Sequence, residues 1–161
     1  MGFAALITWF AAVLAGLYML TVWLIENDAA GPGAARSQLR VPVVFGHLTL
    51  AITGLGVWVA YLVLDRDILA WTAAGTLAVV AALGITMFAR WVPVYREHAR
   101  PTAPAALTGP GRAAGVTPPA GQPFAVPAES QFPVAVIAAH GLLAGVTLVL
   151  VVLTAIGGGG S

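Results

Sequence analysis

The polar positions of this chain fall in clumps, and the stretches between them are apolar almost without interruption. Four runs stand out, Phe3–Ile25, Val41–Leu64, Ile68–Phe88 and Val134–Ile156, and none holds an Asp, Glu, Lys or Arg. A helix that crosses a bilayer needs about 20 mostly apolar residues, so each run predicts a spanning helix. The runs are continuous rather than alternating, which argues against barrel strands. Charge brackets them. Glu26 and Asp28 follow the first, Arg40 precedes the second, Asp65-Arg66-Asp67 separates the second from the third, and Arg90 follows the third. The first run is too long for the apolar part of a signal peptide and no basic residue precedes it, so it reads as a span.

The connections set the expected topology. Asp65-Arg66-Asp67 is too short for anything but an antiparallel hairpin. The expected fold is all-α: an integral membrane, antiparallel four-helix bundle, up-down-up-down, forming one domain over residues 1–156. Gly31-Pro32-Gly33 marks a turn in the first loop. Residues 101–133, rich in Pro, Ala and Gly, read as a flexible, irregular surface segment. Arg90–Arg100 can carry the third helix on into water. Gly157–Ser161 reads as an appended linker and takes no part in the argument.

Composition sharpens this picture. The chain is 60% hydrophobic and 8% charged, against about 25% charged in a soluble domain. Cysteine is absent, which excludes disulfides, thiolate metal sites, cysteine-ligated iron–sulfur clusters and covalent c-type heme. A net charge of +1 gives no basic field for nucleic acid. No nucleophile–base pair, carboxylate dyad or phosphate loop is present, so hydrolytic and nucleotide chemistry are unsupported.

All seven basic residues are arginines, and six of them (Arg36, Arg40, Arg90, Arg96, Arg100, Arg112) lie in the first and third loops. Only Arg66 lies on the other side. The positive-inside rule then puts loops 26–40 and 89–133 in the cytoplasm and both termini outside. The lack of Lys and the heavy use of Ala, Gly, Pro and Arg are associated with GC-rich bacteria, which makes the bacterial inner membrane the expected location. Trp23, Trp71 and Trp91 stand near span ends, where interface anchors are expected.

Against this apolar background two histidines are conspicuous. His47 lies in the second run and His140 in the fourth, while His98 sits among charged residues and reads as a surface side chain. Ionisable groups inside a membrane are functional candidates, because an unpaired polar group there costs several kcal/mol. His47 follows Pro42 by five residues and His140 follows Pro133 by seven. That places them about 7–8 Å and about 10–11 Å along their helices. The second and fourth helices of such a bundle run the same way and are diagonal neighbours, so the imidazoles share one depth across the centre. Small residues flank them: Gly46, Ala51 and Gly54 near His47, and Gly141, Ala144 and Thr147 near His140. Small residues leave room for a planar group, although they also let helices pack closely. A short motif, His-x-x-Leu-Ala, recurs at His47 and His140, each after a Pro-Val pair, as a duplicated hairpin would give.

This pattern resembles the four-helix b-type cytochromes of membranes, of the cytochrome b and b561 kind. The resemblance covers the four spans and rests on His47 and His140. It implies that these two residues clamp heme b as axial metal ligands. Arg40 and Arg90, on the same membrane face, are then candidates for the heme propionates, and Ala51, Gly54 and Ala144 for lining the pocket. Family members commonly carry two ligands per helix, about four turns apart. Here Tyr61 stands fourteen residues after His47, with Leu153 and Thr154 at the matching distance from His140. One heme, near the cytoplasmic face, is therefore expected. The implied function is one-electron transport, as a free carrier, a quinone-linked oxidoreductase or the anchor subunit of a redox enzyme. Two other readings compete. One is a non-catalytic accessory or assembly subunit of a respiratory complex. The other is a Cu or Zn protein, for which no Met cluster, Cys or intramembrane carboxylate completes the ligand shell. A homo-oligomer is compatible with each.

Overall fold

The computed structural model describes residues 1–29, 39–98 and 132–158, and all of its regular structure is helical. Helix α1 covers Gly2–Ala29, α2 Val41–Leu64, α3 Asp67–His98 and α4 Val134–Gly158. Each is long and apolar enough to cross a bilayer. The loop expected over residues 101–133 and the turn at Gly31-Pro32-Gly33 lie outside the described residues, apart from Phe132 and Pro133.

Helix limits follow from local chemistry. Pro42 stands in the first turn of α2, where its missing N–H removes no bond and its fixed φ suits the helix. The carbonyls of Arg40 and Pro133 take the first amides of α2 and α4. Asp65 ends α2 in the left-handed region, at φ 47° and ψ 49°, with its N–H bonded to the Tyr61 carbonyl. Aspartate tolerates that conformation better than most side chains. The carbonyl of Arg66 then receives the Leu69 amide in the first turn of α3.

Helix α3 continues ten residues past Phe88, where the apolar run stops, and carries Pro93 within it. At about 1.5 Å per residue its 32 residues span nearly 50 Å, well beyond a hydrocarbon core of about 30 Å.

The helices close into a ring. α1 packs most extensively on α4, and α2 on α3, while α3 with α4 and α1 with α2 meet over less of their length. The diagonal pairs, α1 with α3 and α2 with α4, have no close backbone approach. This leaves a central axis bordered by all four helices. Threonines inside the helices return their hydroxyls to the carbonyl four residues back, as Thr72 to Ile68, Thr86 to Ala82 and Thr154 to Leu150. A hydroxyl satisfied in this way can lie in hydrocarbon.

The buried core has two parts. The larger holds Ala5, Trp9, Ala51, Trp58, Tyr61, Ala73, Leu77, Val80, Val151 and Ala155 among others. The smaller holds Trp23, Leu39 and Val44, with Leu20, Met87 and Phe132 packed on them. Trp58, fully buried, donates its indole N–H to the Gly2 carbonyl at 3.2 Å. The tryptophans correct one expectation. Trp71 is exposed, as an anchor should be, but Trp23 and Trp91 are buried within the protein. Trp23 packs with Leu39, Val44 and Phe132, at the starts of α2 and α4, and Trp91 lies against Phe88 and Tyr95.

Candidate cofactor site

The two histidines meet in the layer that separates the two core clusters. His47, from α2, and His140, from α4, have ring centroids 6.2 Å apart and planes inclined by 54°. They belong to a diagonal helix pair whose backbones make no close approach, so the rings reach across the central axis. Both remain only half-buried, although they point into the bundle.

Each ring is held by the helix beside it. The Nδ1–H of His47 donates to the Val80 carbonyl of α3 at 3.0 Å. The Nδ1–H of His140 donates to the Ala12 carbonyl of α1 at 2.9 Å. A carbonyl can only accept, so each bond fixes the proton on Nδ1 and leaves Nε2 of a neutral ring as a bare lone pair. No hydrogen-bond donor stands opposite either Nε2 among the described residues.

Glycine makes the close approach possible. A Cβ on Gly84 would meet Cε1 of His47 at 3.2 Å, and one on Gly16 would meet Cε1 of His140 at 3.3 Å. Gly84 lies four residues beyond Val80, and Gly16 four beyond Ala12. Each histidine is thus set by the same device, a carbonyl and a glycine one helical turn apart. The device continues along both helices, since Thr8 and Thr76 stand one turn before the carbonyls, and Trp23 and Trp91 stand seven residues beyond the glycines.

The remaining candidates are spread more widely. Arg40 and Arg90 are exposed. Arg40 precedes His47 by seven residues and Arg90 follows Gly84 by six, about 10 Å toward the same end of the bundle. Ala51 is buried in the larger core and Ala144 is half-buried. Gly54 does not leave open space. A Cβ there would meet the Trp9 ring at 2.9 Å and Thr76 at 3.1 Å, so the room it provides is taken by Trp9. Thr147, almost wholly buried, donates to the Leu143 carbonyl at 2.7 Å and lies 2.9 Å from the Thr8 hydroxyl. The side chain of His98 lies outside the described residues.

Sequence reading did not single out Ala12, Gly16, Val80 and Gly84. Backbone carbonyls have no side-chain signature, and glycine is common in apolar helices. The signal that could have found them is the matched order Thr-x3-Ala/Val-x3-Gly-x6-Trp in α1 and α3.

The centroid spacing alone can be compared with that of two imidazoles on one metal. Metal–imidazole bonds are about 2 Å long, and a ring centroid lies about 1 Å behind its nitrogen, so two rings on opposite sides of one metal have centroids about 6 Å apart. The observed separation is 6.2 Å. A closed Cu or Zn shell needs more donors, and no cluster of three or more His, Cys, Asp or Glu occurs among the described residues. No family model, curated protein or solved structure matches the chain.

Proposed function

We propose that the chain is a single-heme membrane cytochrome of the b type, with His47 and His140 as its axial ligands, carrying one electron at a time. One observation carries this reading: two imidazoles 6.2 Å apart, each with Nδ1 tied to a backbone carbonyl. Two bare Nε2 lone pairs in an apolar interior call for an electron-pair acceptor, and the ring spacing suits one metal between them. A histidine that only packs in an apolar layer also needs a carbonyl for its N–H; what supports the shared site is that the two rings lie in one layer 6.2 Å apart.

Bound heme would supply reversible one-electron chemistry at iron, and with His47 and His140 both holding it the site would favour electron transfer over oxygen chemistry. The protein's part is to hold the rings neutral and fixed in tautomer. The carbonyls of Ala12 and Val80 fix the tautomer, and such outer contacts also raise the basicity of the ligating nitrogen. Trp23, Leu39, Val44 and Phe132 pack on one side of the layer and Trp9, Ala51 and Leu77 on the other. Arg40 and Arg90, both exposed, would be the residues to pair with the propionates.

The same reading sets the helices up-down-up-down in the bacterial inner membrane, termini outside and both arginine-bearing loops in the cytoplasm. A quinone or a respiratory-complex subunit is a suitable partner for such a protein. The test is an absorbance spectrum in detergent. The purified chain should show a Soret band and split visible bands on reduction. His47→Ala and His140→Ala should each lose them, and His98→Ala should keep them.

A further inference from the structure

The two rings belong to different halves of the bundle. His47 is held by the Val80 carbonyl across the α2/α3 pair, and His140 by the Ala12 carbonyl across the α1/α4 pair. These are the two helix pairs that pack most extensively. The α1/α4 pair carries a further bond, from Thr147 to Thr8 at 2.9 Å. Each half thus holds one ring with its own carbonyl and its own glycine, Gly84 or Gly16. The layer between the rings is where the halves meet.

A route to that layer along the bundle axis is packed in both directions. All four helices contribute to the larger cluster, through Trp9, Trp58, Leu77 and Val151. On the other side Trp23 of α1 and Val44 of α2 share a cluster with Met87 of α3 and Phe132, which precedes α4. Trp9, Trp58 and Val151 are essentially inaccessible. The two rings, by contrast, stay half-buried, so they are reached from the side, between helices. Two seams cross no ring bond, α1/α2 and α3/α4, and α1/α2 packs the less of the two.

The far end of the α1/α2 seam is pinned. Trp58 of α2 donates to the Gly2 carbonyl of α1, and Trp9 of α1 lies against Gly54 of α2. Nearer the rings the seam is faced by leucines. Leu62 packs against Gly2, and Leu55 and Leu48 precede it at intervals of seven residues, so all three lie on one face of α2. Leu20 stands about five turns beyond Gly2 on the same face of α1, and about one turn beyond Gly16, which is level with the His140 ring. Leu48 adjoins His47, and both Leu20 and Leu48 are only half-buried.

We infer that the α1/α2 seam is the door of the site: it parts at Leu20 and Leu48 while its Trp58 end stays closed, and heme enters and leaves sideways between these two helices. This rests on the cytochrome reading and adds to it the route by which the site is filled. Helices in a bilayer are held together by close packing, so the seam with the least of it opens at the lowest cost.

The chain has no cysteine, so an introduced pair reports on one seam alone. In the heme-free full chain in detergent, Leu20→Cys with Leu48→Cys should be joined by oxidation or by a short bismaleimide, seen as a shift in gel mobility. Hemin is then added and the Soret band of the bound form followed in time. The joined chain should take up hemin at least several-fold more slowly than the same chain left unjoined, and reducing the disulfide should restore the rate. Leu48→Ala should take up and lose hemin several-fold faster than the parent. Met87→Cys with Phe132→Cys, which joins α3 to the start of α4, should leave the uptake rate as it was. A Leu20/Leu48 pair that cannot be joined, rates indifferent to both the link and Leu48→Ala, or slowing by the Met87/Phe132 link, overturns this inference and leaves the cytochrome reading intact. A parent chain that binds no hemin overturns both.

Discussion

Gly16 stands to His140 as Gly84 stands to His47: in each pair the ring carbon Cε1 lies where the glycine's own Cβ would press on it, at 3.3 and 3.2 Å. Two non-adjacent helices thus hold the two rings of one site by the same means. Alanine in place of either glycine raises helix propensity by about 1 kcal/mol but crowds a ring that a carbonyl already holds. Gly16→Ala and Gly84→Ala should therefore keep or slightly gain thermal stability while shifting or broadening the heme bands. Gly84→Leu should lose heme. Spectra unchanged in all three variants would show that the glycines do not set the rings.

The larger core is expected to matter for stability and little for the site. Trp58 is fully buried and bonded to the Gly2 carbonyl, eleven residues from His47. Trp58→Ala should cost about 3–5 kcal/mol, and Trp58→Phe, which loses the hydrogen bond but keeps most of the volume, about 1 kcal/mol. Thermal unfolding in detergent measures both. The Phe variant should retain the full absorbance spectrum.

Much of this arrangement is legible along the chain, and the reasons are physical. Charge-free runs mark helices because lipid excludes charge, and α2 covers the same residues as its run. The shared depth of His47 and His140 follows from counting residues along two helices. Other features depend on tertiary packing. Trp23 and Trp91 have the positions of interface anchors, yet they are buried because neighbouring segments cover them. Gly54 has the register of a pocket residue, but it receives the Trp9 ring. Helix α3 passes Pro93 and its charged neighbours because a helix in water needs no apolar run. The acceptors at Ala12 and Val80 are main-chain atoms, which sequence patterns do not mark.

Gly54 provides a test of that packing. Gly54→Ala should destabilise the protein by about 1–3 kcal/mol through overpacking against Trp9 and Thr76, with heme content per folded chain unaffected. Loss of heme without loss of stability would instead place Gly54 in the pocket wall.

Topology is open to reporter fusions. On the proposed orientation, a fusion at Gly115 should report from the cytoplasm and one at Asp67 from outside. The reverse pattern would move the heme to the opposite face of the membrane.

Heme content per chain tests the central claim most directly. The purified protein should hold one heme, and His47→Ala and His140→Ala should each hold far less, because losing either ring removes an axial bond and leaves a gap in the layer. No heme in the parent chain, or one full equivalent in both single variants, would contradict the assignment of His47 and His140 as its ligands.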